Sequence, residues 1–192
     1  AGSLDCVLHC AAMTTFDPAL AQRQWKVNVD GTELVTRLAA DCKPSRGYHY
    51  ISTAYVAGDR KDLALETELD CGQGFINGYE SSKFEAEKII NRYREQGHKA
   101  TGYRPSIIVG ESSSGHTVLF NGMYMFFRFF DSVRRTFEEQ DSLGRTIVPV
   151  RGIGDPRVTK NFVHVDYVVE TTMAIFNNPE THGGTYHITH EE

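Results

Sequence analysis

Tyr79 stands four residues before Lys83, and Ser52-Thr53 ends an apolar, β-like run upstream of both. A phenol, an ammonium and a hydroxyl in this order are suited to passing a proton to or from a substrate oxygen. Residues four apart on a helix share a face, so a helical segment directs Tyr79 and Lys83 into one cleft. A free tyrosine titrates near pH ~10, too high to release its proton readily at neutrality. A neighbouring ammonium favours the phenolate, so Lys83 is expected to lower the pKa of Tyr79. Thr53, at a strand end, can donate a hydrogen bond to the same substrate oxygen and stabilise charge developing there. A Tyr and a Lys at this spacing also describe an ordinary solvated helix face. The context argues for chemistry: Gly78 precedes Tyr79, Ser81-Ser82-Lys83-Phe84 follows it, and Ser52-Thr53 closes the preceding strand.

The elements that must position these groups alternate along the chain. Residues 6–10, Cys-Val-Leu-His-Cys, form a short apolar segment bounded by Asp5 and by Ala11-Ala12, which reads as a buried strand. Asp17-Pro18 opens a helix, with Asp as N-cap and Pro in the first turn. Val27, Gly31, Leu34, Val35 and Leu38 make its apolar stripe, Gly31 implying close packing against a neighbouring backbone, and Pro44 closes it. Residues 48–53 are the next strand. A polar loop follows, and from Tyr79 a helix runs to a C-capping Gly97 with Ala86, Ile89, Ile90 and Tyr93 inward. Residues 101–109 read as a strand interrupted at Arg104-Pro105, where Pro marks the carboxyl end. In open α/β sheets ligands gather at that end. Residues 120–130, rich in Phe and Met, read as a core helix or subunit contact, or as an apolar substrate wall. A helix after Asp166 carries Val168, Val169, Thr172, Met173 and Phe176 inward, and residues 185–189 form a last strand. This alternation argues for an α/β fold with a mostly parallel sheet covered on both faces.

Composition narrows the function. The chain has 192 residues, 40% hydrophobic, enough for one domain with a substantial core. The net charge of -5 and the lack of a basic run argue against nucleic acid; Arg134-Arg135 is soon followed by Glu138 and Glu139. No apolar stretch reaches the ~18 residues that a membrane span needs. The four cysteines, Cys6, Cys10, Cys42 and Cys71, contain no C-x-x-C pair. Cys6, Cys10 and Cys42, in or beside apolar segments, read as buried thiols in a reducing cytoplasm, and Cys71 is placed in a loop. The eight histidines make no metal-ligand set, and His187 and His190 read as part of an exposed tail. No metal is expected.

Taken in order, several segments resemble an extended short-chain dehydrogenase/reductase. They are residues 9–12 (His-Cys-Ala-Ala), 28–32 (Asn-Val-Asp-Gly-Thr), 51–58, 79–83 (Tyr-Glu-Ser-Ser-Lys) and 103–110 (Tyr-Arg-Pro-Ser-Ile-Ile-Val-Gly), with 161–166 similar to a later segment. His9-Cys10-Ala11-Ala12 with Phe16-Asp17-Pro18, and Gly110-Glu111-Ser112 with Gly115, look most like the thioester-reductase and fatty acyl-CoA reductase branch, of NAD-binding 4 type. The resemblance implies a partial Rossmann-like, doubly wound parallel sheet. Residues 1–110 would hold the active-site portion. Residues 111–192 would hold a small substrate-binding region and the returning final helix and strand. Tyr79 would give its proton to a carbonyl or acyl thioester, with Lys83 lowering its pKa and binding the nicotinamide ribose. Thr53 would orient the carbonyl oxygen, with Ser52 as its neighbour at the cofactor. His9, Ala11 and Ala12 would line the dinucleotide, and Pro105, Ile107 and Ile108 would pass beside the nicotinamide. Asn28 would support the site. The cofactor would be NADP or NAD, with NADP favoured. A nucleotide-sugar epimerase or dehydratase of the same superfamily, and a non-catalytic dinucleotide-binding-like module, are the alternatives.

The resemblance also implies a glycine-rich phosphate loop well ahead of the His-x-Ala-Ala segment, which here begins at residue 9. Gly152 and Gly154 are the nearest glycine pair, but they neither follow a clear strand nor open a helix. The chain therefore reads as lacking the N-terminal βαβ part, as an internal cut would. The expectations are weak or no dinucleotide binding by the chain alone, and an exposed first strand covered by further chain or by another copy.

Overall fold

The computed structural model describes residues 4–118, 120, 122–136, 140–145, 147, 155 and 157–191. Gly152, Gly154, Glu138 and Glu139 lie outside them. Residues 1–109 and 161–192 form one compact unit and residues 110–160 a second.

In the first unit the strands are β1 (Val7–His9), β2 (Tyr48–Ile51), β3 (Ala100–Pro105), β4 (Ile107–Val109), β5 (Phe162–His164) and β6 (Thr185–Ile188). Among the described residues, β1-β2-β3-β6 make a parallel sheet in that order, and β4 and β5 pair in parallel as a second. The expected Rossmann-like parallel α/β architecture is what the chain adopts. The single strand anticipated over residues 101–109 is two: Ser106 N still bonds Ile188 O at the end of β6, and from Ile107, whose N–H bonds Asn161 O, the chain pairs with β5 in the second sheet. Pro105, which has no N–H to give, is the last residue of β3.

The helices of this unit are α1 (Ala21–Trp25), continued through a π-helical turn (Lys26–Asp30) into α2 (Gly31–Cys42), then α3 (Gly78–Glu95) and α5 (Val165–Asn177). Side-chain alternation along the strands sorts the core onto two faces. On one, Tyr48, Tyr50 and Ala100 pack with Ala39 of α2 and with Ala86, Ile90 and Tyr93 of α3. On the other, Tyr103, Val163 and Ile188 pack with Val168 of α5, and Ile51 and Ile175 join them. Asn77 caps α3 by accepting from Glu80 N at 3.0 Å, while the Glu80 carboxylate accepts from Ile76 N. Gly97 follows the helix end at φ +86°.

Two helical stripes differ from the expectation. On α2 and the turn before it, Val27, Leu34 and Leu38 face outward at 38, 65 and 51% exposure. The inward face carries Gln24, Asn28, Thr32, Thr36 and Ala39 instead. Gln24, Asn28 and Thr32 find hydrogen-bond partners on the elements they pack against, which an apolar period cannot register. Gly31 meets no crowded backbone: a Cβ there would sit at an ordinary 3.7 Å from Lys26 O. On α5, Val168 is buried, but Val169 and Met173 are exposed. His187, read as tail, is a half-buried residue of β6 whose ring meets Arg104 at 3.2 Å.

The second unit contains α4 (Met123–Thr136). Phe126, Phe127, Phe129 and Phe130 are all exposed on it, so a core helix is not what this segment forms. Tyr124 folds back to accept from Gly110 N at 2.7 Å. None of the described helices is long and apolar enough to cross a membrane.

Candidate active site

Parallel pairing brings the carboxyl ends of β1, β2 and β3 to one side of the sheet, with His9 beside Tyr50 and Ile51 beside Tyr103. Thr53 lies just beyond β2 in extended backbone and caps the short turn Ala54–Ala57. Its hydroxyl accepts from Tyr55 N at 3.3 Å and reaches Pro105 O at 3.4 Å. Tyr79 enters from the first turn of α3, and the Thr53 hydroxyl faces its phenol. Gly78 lets this turn approach: a Cβ there would stand 3.1 Å from Gln24 Oε1. The edge of Phe16 packs on the Tyr79 ring, centroids 5.9 Å apart.

Lys83 is buried on the same helix face, 2% exposed. Its ammonium donates to Tyr50 Oη and to Ile51 O, both at 2.7 Å. Burial lowers its pKa to about 7, against the opposing pull of Glu87 and Cys10. The expectation that Lys83 lowers the pKa of Tyr79 needs correction. Burial pushes the phenol up and the Thr53 hydroxyl works against that rise, while the ammonium is turned to β2. Desolvation outweighs the charge because that charge is directed at Tyr50 and Ile51.

The cofactor-side candidates divide. Ala11 is exposed and Ala12 half-buried on the loop after β1. That loop is pinned by Asn28, whose side chain takes Met13 N at 2.7 Å and gives to Met13 O at 3.0 Å, and by Gln24, which donates to Met13 O and Thr15 O. Asn28 also donates to Ser82 Oγ at 2.9 Å, joining the loop to the Tyr79 helix. The His9 ring is turned into the protein, 3.1 Å from Thr32 Oγ1 and stacked on Tyr50; burial, then Lys83, lowers its pKa. Ser52 is likewise turned inward and donates to Glu87 Oε2 at 2.5 Å. Pro105 closes β3 beside Thr53, and Ile107 (half-buried) and Ile108 (43% exposed) continue into β4. Ser106 Oγ, between them, is buried without a hydrogen-bond partner. No group of His, Cys, Asp and Glu among the described residues is arranged to hold a metal ion.

Two further residues complete the site's frame. Glu87 and Arg104 form a buried ion pair, 1 and 3% exposed at the side chain, with Arg104 Nη2 at 2.6 Å from Glu87 Oε1. The signal was present in the sequence as a carboxylate on the core stripe of α3 and a guanidinium in an otherwise apolar strand. Only the fold shows that they meet.

These residues can hold a carbonyl oxygen at a phenol and a hydroxyl, with a buried ammonium on the same helix face, at the ligand-gathering end of a parallel sheet. The fold and this Thr-Tyr-Lys arrangement define a Rossmann-like α/β protein of the short-chain dehydrogenase/reductase kind. The chain belongs to the NAD-binding family described as Male sterility protein, whose profile matches residues 1–172. It is 31% identical over 120 residues to a linear gramicidin synthase of Brevibacillus parabrevis, covering 60% of this chain and 2% of that protein. It is 28% identical to aldehyde reductase lnaA of Aspergillus flavus, covering 84% of this chain and 15% of the relative. Among solved structures, the terminal R domain from the myxalamid PKS-NRPS biosynthetic pathway superposes with a TM-score of 0.76 at 25% identity, over 98% of this chain and 44% of that one. The chain spans only 2 to 17% of the length of the curated relatives it matches.

Proposed function

We propose that the chain is the catalytic portion of an NAD(P)H-dependent reductase acting on a carbonyl or acyl-thioester group. The observation that carries this reading is the meeting of Thr53, Tyr79 and Lys83 at the carboxyl ends of the parallel strands. The relatives named as an aldehyde reductase and a terminal R domain point the same way.

The residues fit a nicotinamide nucleotide. Lys83 uses two of its three N–H donors within the protein, leaving one for a ribose hydroxyl. Ala11 and Ala12 present small side chains, and Ser106 Oγ is a buried polar atom with no partner. We assign the ribose to Lys83, the nicotinamide surroundings to Pro105, Ile107 and Ile108, and the rest of the dinucleotide to the loop of Ala11 and Ala12. When bound, the nicotinamide supplies the hydride and the protein supplies position and electrostatics. NADP is preferred over NAD in this reading on the family resemblance. Residues 111–192 are assigned the substrate-binding region together with the returning helix and strand.

The chain's own chemistry then concerns one proton. Thr53 and Tyr79 both hydrogen-bond the substrate oxygen, Thr53 orienting it and Tyr79 donating as negative charge grows there. A phenol whose pKa is raised by burial holds its proton at neutral pH, which suits an acid in the reducing direction. Phe16 and Asn28 keep the phenol and the cofactor loop in register. The test is Tyr79→Phe in the full-length protein, with NADPH oxidation followed against an aldehyde and an acyl thioester. Turnover is expected to fall by at least ~100-fold with cofactor affinity little changed. Undiminished turnover removes Tyr79 from the reaction and this reading with it.

A further inference from the structure

Glu87 takes no part in the proton transfer above, yet its carboxylate is fully engaged. Oε2 accepts from Ser52 at 2.5 Å; Oε1 accepts from Arg104 Nε at 2.9 Å and Nη2 at 2.6 Å. An ion pair serving the core alone needs no particular neighbours. These neighbours are particular. Ser52 lies between Ile51, whose carbonyl takes the Lys83 ammonium, and Thr53. Arg104 precedes Pro105, whose carbonyl Thr53 reaches. Glu87 itself stands one helical turn beyond Lys83 on the buried face of α3. Arg104 extends the connection to the loop between β2 and α3, donating to Glu68 O at 2.7 Å, and to His187 of β6.

The charges point the same way. Two cations, Lys83 and Arg104, are buried here with one carboxylate between the strand ends. Around Lys83 stand His9 and Cys10 from β1 and its loop, Tyr50 from β2, Glu87 from α3 and, across Glu87, Arg104 from β3. The phenol of Tyr50 is held far above its ordinary range by burial, and the pKa of His9 is lowered by burial and then by Lys83, which favours its uncharged form. Of the two groups that oppose the fall of the Lys83 pKa, Glu87 and Cys10, Glu87 acts more strongly, and it stands one helical turn beyond Lys83 on the buried face of α3.

We propose that Glu87 is a positioning residue of the active site: its carboxylate supplies the counter-charge for Lys83 and, through Ser52 and Arg104, ties the ends of β2 and β3 to the helix that carries Tyr79 and Lys83. The proposal rests on the reading of Lys83 as a ligand for the cofactor ribose, but its test does not depend on activity. The chain is isotope-labelled at lysine Cε, and the Lys83 resonance, assigned with Lys83→Met, is titrated by NMR. Glu87→Gln keeps the shape and removes the charge; the Lys83 midpoint is expected to fall by about one pH unit, a ~10-fold easier deprotonation. Glu87→Asp keeps the charge and should hold the midpoint closer to that of the unsubstituted chain. A folded Glu87→Gln chain with lower thermal stability and an unmoved Lys83 midpoint would mean a purely structural ion pair and overturn the proposal. If Glu87→Gln does not fold, Arg104→Gln decides. Removing the competing cation should raise the Lys83 midpoint, and no movement overturns the proposal. Because neither substrate nor cofactor is present, this result stands or falls separately from that of Tyr79→Phe.

Discussion

Replacing Lys83 by Met removes a buried charge and two hydrogen bonds together, and pH separates the two effects. In the folded chain burial brings the Lys83 midpoint to about 7, from 10.5. Between those values the unfolded chain binds a proton that the folded chain does not, so stability rises with pH across this window. Below the folded midpoint the burden is constant. Its upper bound is on the order of 5 kcal/mol, at ~1.4 kcal/mol per unit. The lost bonds act in the other direction. Lys83→Met leaves Tyr50 Oη and Ile51 O without the donor that each has at 2.7 Å, a cost of about 1–3 kcal/mol apiece. Near neutral pH the two contributions nearly cancel, and the variant should match the parent within about 2 kcal/mol. Toward about pH 9.5 the parent sheds its burden while the variant keeps its loss, so the parent should gain a lead of some 2–3 kcal/mol. Urea unfolding of both chains, followed by circular dichroism at about half-unit steps of pH, measures this. Groups that Lys83 does not touch cancel in the difference, and His9, whose pKa Lys83 lowers from 6.5, titrates below this window. Parallel stability curves across the window would refute the assignment of a depressed, buried Lys83.

Other perturbations follow from the same geometry. Ile90, with no exposed surface at the centre of the α3 face, should cost about 2–5 kcal/mol when cut to Ala, read as a shifted urea midpoint at unchanged slope. Gly58 has φ +60°, and a Cβ there would stand 2.2 Å from Gly74 O. Gly58→Ala should therefore disorder the loop between β2 and α3, seen as faster amide exchange around Gln73 and Gly74 while the β2 amides stay protected. His49 is fully buried against Tyr103, and its pKa is lowered chiefly by burial. As pH falls below about 6.5 the unfolded chain takes up the proton first, so stability should drop, and less steeply in His49→Gln. β1 lies at one edge of its sheet with Leu8 53% exposed. Light scattering should show association growing with concentration, and a monomer at every concentration removes that expectation.

Much of the frame was legible in residue order. Strand and helix alternated with enough apolar contrast to locate β1, β2 and α3 closely. Where a stripe was polar, legibility failed. The inward face of α1, the π-helical turn and α2 carries Gln24, Asn28, Thr32 and Thr36, which an apolar period does not register, and the partners of Gln24, Asn28 and Thr32 on the 11–15 loop, His9 and Ser82 appear only in the fold. The inverse error fell on Val27, Leu34 and Leu38, apolar yet outward. At the site, the meeting of Thr53, Tyr79 and Lys83 followed from the motif, but the electrostatic relation between Tyr79 and Lys83 did not.

Residue order was enough to set the types of group available, their succession, and the parallel α/β frame that brings strand ends together, because hydrophobic period and capping chemistry are local properties. Which charges are buried together, and what each one faces, emerged only on folding. Glu87 lies 17 residues from Arg104 and 35 from Ser52 along the chain, and nothing local joins them. The pKa of a buried group depends on desolvation and on neighbours in space, and both are properties of the assembled core.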